Sequence, residues 1–356
     1  MKRTFLALSL LLLVAAPAAA QDMLARNSRD SSTFITTIEN DKFLGGTDEE
    51  YSNGVKFTWV SPDLTPGRDE PGRPQWVRSL LESLDPWLSA FPGLYDTSRQ
   101  RSVALSLGQS IYTPRDVYSS NPPDNQRPYA GWLYTSLALH SKNERELDTL
   151  ELTLGIVGPS AMGEEVQNNF HNAIGSARSE GWDYQLHDEP GAMLTWQRNW
   201  RFMAVDLPSG WGLDVIPHAG VTVGNVATYA NAGGEVRFGL NLPADFGTAL
   251  IGPGSGVSAP VAVNSERLQA SRWWGAHVFA GTDGRAVARD IFLDGNTWEQ
   301  SRHVNKEPLV ADLMAGLAVT LGDFSVTYTQ AYRTQEYEGQ PGGGHVFGSV
   351  ALSYSY

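Results

Sequence analysis

The chain contains no cysteine, which excludes a disulfide framework, a thiolate metal site and a cysteine nucleophile. Positive charge is scarce: 26 Lys and Arg stand against 39 Asp and Glu, for a net charge of −13. Nucleic acid is therefore not an expected partner, since phosphate binding needs clustered cations to release counterions. After residue 20 no apolar run approaches the roughly 18 residues that a membrane-spanning helix needs. Aromatic residues, by contrast, are plentiful, with 11 Trp, 13 Tyr and 13 Phe, which excludes ordinary disorder. A length of 356 residues suits two domains or one large all-β barrel.

Lys2 and Arg3, the apolar run from Phe5 to Val14, and the small residues Ala18, Ala19 and Ala20 have the form of a secretory signal peptide. Ten apolar residues are too few to span a bilayer, so cleavage rather than anchoring is expected. The expected organisation is thus a signal peptide at 1–20 and one domain at 21–356, whose net charge becomes −15 once Lys2 and Arg3 are gone.

The rest of the chain alternates. Leu309, Ala311, Leu313, Ala315, Leu317, Val319 and Leu321 share one parity, with Asp312, Gly316 and Thr320 on the other. This is the period of a strand with one apolar face. Phe324, Val326, Tyr328 and Tyr332 continue the alternation after Gly322-Asp323, which reads as a tight hairpin. The chain ends on Val346, Gly348, Val350, Leu352, Tyr354 and Tyr356, again on one parity.

A soluble sandwich would also alternate, but three features favour a membrane barrel. The apolar faces finish in aromatics (Trp59, Tyr112, Trp132, Tyr332, Tyr354, Tyr356), as interfacial girdles do. The opposite parity is small and polar and includes Lys56, Glu151 and Asp312, which suits a hydrated lumen. The last strand ends the chain on an aromatic, a pattern resembling the assembly signal of bacterial outer-membrane barrels. The expected fold is an all-β, twelve-stranded antiparallel transmembrane barrel, with strands near 33–40, 51–61, 101–112, 131–141, 147–157, 191–204, 211–224, 232–242, 272–284, 307–321, 324–335 and 345–356. An even count puts both termini on the periplasmic side and makes 42–50, 113–130, 158–190, 225–231, 285–306 and 336–344 extracellular. The segments 62–100 and 243–271 are long for periplasmic turns, and Trp76–Leu81 in the first reads as a short amphipathic helix.

Polar residues gather at one end of this barrel. Asn40 and Asp41 close the first strand, and Tyr51-Ser52-Asn53-Gly54 opens the second at the same height, so strand pairing brings Asn40 and Asp41 close to Ser52. Ser52 shares parity with Gly54, Lys56 and Thr58 and is expected to face inward. A plain polar hairpin rim would read the same way. In the loop 158–190, Ser160 can cap a helix that carries Glu164 and Glu165 in its first turn and that Gly175 can end. Val166, Phe170, Ala173 and Ile174 form its apolar stripe, expected to dock on the barrel rim, while Gln167 and His171 project together four residues apart.

That grouping has a chemistry. Histidine is a base usable near neutral pH. Asp41 with the Asn40 carbonyl or loop carbonyls offers the hard oxygen donors Ca²⁺ prefers. A dication could polarise an ester carbonyl and bridge an acidic protein to an anionic lipid.

Asn40-Asp41, Tyr51-Ser52-Asn53-Gly54, Gln109-x-x-Tyr112-Thr113-Pro114, Arg127-Pro128-Tyr129-Ala130-Gly131-Trp132, Gly158-Pro159 with Gln167-Asn168-x-x-His171, Gly181-Trp182-x-x-Gln185 and Leu293-Asp294-Gly295-Asn296-Thr297 together resemble the outer-membrane lipid A 3′-O-deacylase family. The resemblance runs from the first strand to the C-terminus. It implies a twelve-stranded barrel in the bacterial outer membrane, monomeric and acting toward the outer leaflet on lipid A or lipopolysaccharide. The implied reaction is Ca²⁺-dependent hydrolysis that releases the 3′-linked acyl or acyloxyacyl group. The matching functional positions are Asn40 and Asp41 for the metal and Ser52, Gln167 and His171 for catalysis. Two departures stand out. The family's oxyanion lysine has no counterpart in 113–130, where Arg115 and Arg127 are the available cations. The acidic residue after the catalytic helix could be Glu180, Asp183 or Glu189.

An outer-membrane phospholipase A is the nearest enzymatic rival, but that family places histidine two residues before its serine, where this chain has Glu50. A non-enzymatic porin-like barrel would leave His171 an incidental loop residue.

Overall fold

A computed structural model of the chain describes residues 32–41, 43, 50–65, scattered positions between 79 and 99, and then 100–174, 178–248, 250–251 and 273–356. The expected signal peptide, most of the Trp76–Leu81 helix and the Gly/Pro-rich stretch 252–260 lie outside the described residues.

Thirteen strands form: β1 (Thr33–Asn40), β2 (Glu50–Val60), β3 (Gln100–Thr113), β4 (Ala130–Lys142), β5 (Glu146–Val157), β6 (Glu189–Trp200), β7 (Met203–Asp206), β8 (Trp211–Gly224), β9 (Ala227–Leu240), β10 (Trp274–Asp290), β11 (Leu309–Leu321), β12 (Phe324–Thr334) and β13 (Gly344–Ser355). Each pairs antiparallel with its neighbours, β13 with β1, and β6 with β8. The wall is therefore a closed ring of twelve strands. The four-residue β7 only extends β8 at one rim. Closure leaves no unpaired edge, which is what a strand-built membrane wall requires.

Period two sorts the side chains. Leu313, Leu317, Leu321, Phe324, Val326, Leu352, Leu105, Leu107, Leu152 and Leu154 are exposed on the outside. The opposite parity fills the lumen with paired charges. Asp312 receives Arg333 at 2.7 and 2.9 Å and Arg285 at 2.8 Å, and Lys56 Nζ lies 3.9 Å from Glu151. The hydrated-lumen reading of Lys56, Glu151 and Asp312 holds, with ion pairs in place of open water. No helix among the described residues is long and apolar enough to cross a membrane.

Four expectations need correction. β9 begins at Ala227, so the 225–231 loop shrinks to a turn at Asn225-Val226. β10 runs on to Asp290, because its inward Asp283, Arg285 and Arg289 belong to the lumenal network and disguise a strand as a polar loop. Tyr112 and Trp132 are not girdle residues: both line a lumenal cavity of about 120 Å³. Finally, the segment after β9 is no external turn. It leaves the rim at Asn241, in the left-handed region at φ 52, and enters the lumen, where Phe246 packs on Leu147 and the Ile251 N–H donates to Glu39 Oε1 at 2.7 Å.

Candidate active site

At the end of the barrel that carries the long loops, the wall separates two sets of side chains. On β3, Leu105 and Leu107 are exposed to the outside while Tyr112 lines the cavity, so Gln109, Ile111 and Thr113 share the outer parity. On β1, Phe34 and Ile38 are exposed outside, which puts Asn40 outside, and Glu39, bonded to the lumenal Ile251, inside.

Ser52 is where sequence parity fails. The β2–β3 register jumps between Tyr51 and Asn53, a β-bulge with Ser52 as the extra residue. The insertion turns Ser52 to the face of Thr113, and the two hydroxyls meet at 2.6 Å. Ser52 thus points outward, not into the lumen. The Asn40 amide donates to the Ser52 carbonyl at 2.8 Å, and Asn40, Asp41 and Ser52 are all buried. Just before the bulge, Glu50 has φ 74, a conformation costing a non-glycine residue about 1 kcal/mol or more. Arg127 at 3.5 Å and the Tyr337 hydroxyl at 2.8 Å hold its carboxylate.

Helix α1 (Gly163–Ile174) covers this patch from outside. Gln109 donates to the Ala161 carbonyl at 2.6 Å, and Gly131 lets the helix start approach β4: a Cβ there would sit 3.0 Å from the Ala161 side chain and 3.2 Å from the Gly163 nitrogen. Behind it, Ile111, Tyr129 and Trp182 form a small core. The helix lies opposite to expectation. Gln167 and His171 are 2% and 1% exposed, with Asn168 buried beside them, whereas Val166 and Phe170 are 37% and 39% exposed. The polar face is pressed against the wall and the apolar stripe turns out. A membrane outside removes the usual reason for hiding Val166 and Phe170, and the polar face then finds its partners on the protein. One such partner is the Ser179 N–H, which donates to Asn168 at 3.0 Å and ties down the segment after the helix. Both amide atoms of Gln167 are buried without a hydrogen bond among the described residues, so the amide is available to a bound group. Of the helix's expected stripe, the side chains of Ala173 and Ile174 lie outside the described residues.

Asn40, Ser52, Gln167 and His171 therefore come to one end of the barrel on the outer side of its wall, and Asp41 follows Asn40 at the same end. Direct bonds join Asn40, Ser52 and Thr113, and β3 links that group to α1 through Gln109. Thr113, Asn168 and Gln109 were not singled out as site residues. Gln109 and Thr113 stand in one quoted motif, and their outward parity beside Ser52 was the available signal.

The residues left as alternatives lie as follows. Arg127 is buried between Glu50 and Glu336, 3.1 Å from the latter, and over the Tyr112 ring, so it is a lumenal framework residue. Arg115 remains the exposed cation of that loop. Glu189 is buried, accepting from Asn225, Asn296 and the Thr297 N–H, which explains the Asn296-Thr297 motif as a clasp between loops. Glu180 and Asp183 are exposed.

For Ca²⁺ the donor chemistry is suitable. The side-chain oxygens of Asn40 and of the buried Asp41 are hard donors of the kind that Ca²⁺ takes. Among the described residues no three His, Asp or Glu converge, so backbone carbonyls would complete such a site.

The chain matches the family described as "Outer membrane protein LpxR" over residues 6–356. No curated protein matches its sequence. Among solved structures, LpxR from Salmonella typhimurium superposes with a TM-score of 0.70 at 18% identity, covering 90% of this chain and 99% of that one. The β domain of the Bordetella autotransporter BrkA reaches 0.40 at 11% identity, over 92% and 98% of the two chains.

The ionic frame behind the site gives a pH dependence. Burial opposes ionisation of Glu336, but Arg127 and Arg333 outweigh it and hold the carboxyl at about 2, below its ordinary 4.5. A depressed carboxyl stabilises the fold above its unfolded value and loses that contribution as pH falls through the folded one. The heat-modification temperature of the purified barrel should therefore drop between pH 4.5 and about 2, and Glu336→Gln should flatten that drop while lowering the temperature at pH 7.

Proposed function

The chain belongs to the LpxR family of outer-membrane proteins, the lipid A 3′-O-deacylase family that its motifs resemble, and on that premise we propose that it is a Ca²⁺-dependent carboxylic ester hydrolase. The reaction is release of the 3′-linked acyl or acyloxyacyl group of lipid A at the outer leaflet. The observation that carries this reading is the side of the wall: Asn40, Ser52, Thr113 and the Gln167/His171 face of α1 lie on the membrane side of the barrel, not in its lumen. A lipid ester reaches that side without leaving the bilayer interface. A porin reading would need an open lumen, yet the segment through Phe246 to Ile251 and the pairs around Asp312 occupy it.

His171 acts as general base on the attacking water. Gln167, one turn earlier on the same buried face, orients the imidazole or the substrate. The Ser52 hydroxyl, whose hydrogen bond goes to Thr113, is placed as a donor to the developing oxyanion. Asn40 and Asp41 would hold the Ca²⁺, which when bound polarises the ester carbonyl. The competing use of the same atoms, in which His171 activates Ser52 for an acyl-enzyme, is favoured less, because the water route asks of Ser52 only a hydrogen bond and a bound metal would supply the electrophilic help.

Mass spectrometry of lipid A from a host expressing the chain should show loss of the 3′ acyl group. His171→Ala should abolish it with heat-modifiability intact. Ser52→Thr should keep substantial activity and Ser52→Ala a reduced part of it; a stable covalent adduct on Ser52 would replace the water mechanism by the acyl-enzyme one.

Chelation should stop turnover reversibly, and Asp41→Ala should lose activity in a barrel that still folds. Turnover indifferent to chelation in the wild type would remove Ca²⁺ from the reading.

Cysteines placed at the exposed Asn121 and Asn172 should react with an impermeant maleimide in intact cells. Labelling only after the outer membrane is permeabilised would put the site on the periplasmic side.

A further inference from the structure

The segment from Asn241 to Ile251 runs up the inside of the barrel. It starts at the rim remote from the site, where the Asn241 N–H donates to the Gly210 carbonyl at 2.8 Å and its side-chain amide donates to the Trp274 carbonyl at 2.9 Å. Successive bonds then tie it to the inner wall. Arg237 pairs with Asp245 and donates to the Pro243 carbonyl at 2.9 Å, Asn199 reaches the Phe246 carbonyl at 3.3 Å, and Glu235 accepts the Thr248 N–H at 3.0 Å. Leu250 packs on the Tyr51–Phe347 cluster. The segment ends at Ile251, whose N–H donates to Glu39 Oε1 at 2.7 Å.

Glu39 is the inward neighbour of Asn40, and it is 1% exposed. A β-strand places consecutive side chains on opposite faces. The bond inside the barrel therefore holds the backbone next to Asn40, whose side chain lies on the outside, and two residues before Asp41. β1 ends there: its last pairs are Asn40 with Asn53 and with Gly348, and among the described residues no ladder pair follows them. An end strand position carrying site groups needs support from elsewhere, since sub-ångström to 1 Å errors cost rate steeply.

We infer that the described residues between Asn241 and Ile251 form a lumenal strut and that Glu39 is a positioning residue: the Ile251–Glu39 bond holds the end of β1 so that Asn40, on the opposite face of the wall, and Asp41 after it keep their place in the site. The inference rests on the site reading above, and its test separates the two. Three variants are compared with the wild type in detergent, each checked for heat-modifiability. Glu39→Ala removes the acceptor, Glu39→Gln keeps a carbonyl oxygen at the same position, and Ile251→Pro removes the donor. Backbone hydrogen exchange over residues 38–41 is read alongside lipid A turnover.

Glu39→Ala and Ile251→Pro should each speed exchange over 38–41 and lower kcat by about 10- to 100-fold at unchanged KM. Glu39→Gln should stay near the wild type in both readouts. The double variant Glu39→Ala/Ile251→Pro should be no worse than either single one, because both remove the same bond. Unchanged exchange in Glu39→Ala, or losses that add in the double variant, overturns the strut. If the wild type releases no acyl group at all, the lipid A reading falls while the exchange measurement still decides whether the strut holds β1.

Discussion

The wall of this protein is one residue thick, and everything else follows from that. Closing twelve strands into a ring satisfies every ladder hydrogen bond without an edge, but it leaves each side chain only two places to go. Lumenal positions become ion pairs, as at Asp312 with Arg285 and Arg333, because an unpaired charge in that interior would be costly. Outer positions become leucine, valine and phenylalanine. A polar site on the outer face must therefore be made by an exception, and the exception is the bulge at Ser52. One inserted residue moves a hydroxyl from lumen to membrane side and sets it against Thr113.

The same constraint explains the orientation of α1. On a soluble protein a helix with Val166 and Phe170 on one side would turn that side inward. At a membrane-facing wall the solvent is itself apolar, so burying Val166 and Phe170 gains little, while Gln167, Asn168 and His171 need polar partners that only the protein end of the strands supplies. The helix is in effect inside out. Its placement covers a patch of outer wall with Gln167, Asn168 and His171 without opening the barrel.

Periodicity made the barrel legible, most plainly in β11, where Leu309, Ala311, Leu313, Ala315, Leu317, Val319 and Leu321 keep one apolar parity. Where it misled, the cause was local. β10 carries inward Asp283, Arg285 and Arg289, which read as loop composition until their partners are seen across the lumen. Ser52 was assigned the wrong face because a bulge is one residue of register and leaves no mark in composition. Asn40, Asp41, Ser52, Gln167 and His171 could be gathered to one end by strand order alone, but the side of the wall they occupy depended on Ser52 and on the helix orientation, both of which are tertiary choices. The lumenal course of the segment after β9 was illegible for a related reason: its end is held by Glu39, 212 residues away in the chain, and its other partners Glu235 and Arg237 lie on the inner face of the strand just before it.

Filling the lumen has a mechanical consequence. An empty twelve-stranded ring is held in shape only by its ladders, and its rim strands end where the loops begin. Here the Arg127–Glu50–Glu336 group braces the start of β2 and the loop after β12, the Glu189 clasp joins β6 to the loop after β10, and Glu39 braces the end of β1 from within. All three lie at the loop end of the barrel. Charges that would be an expense in a channel serve here to stiffen the wall behind a site that must hold its geometry at the edge of a fluid membrane.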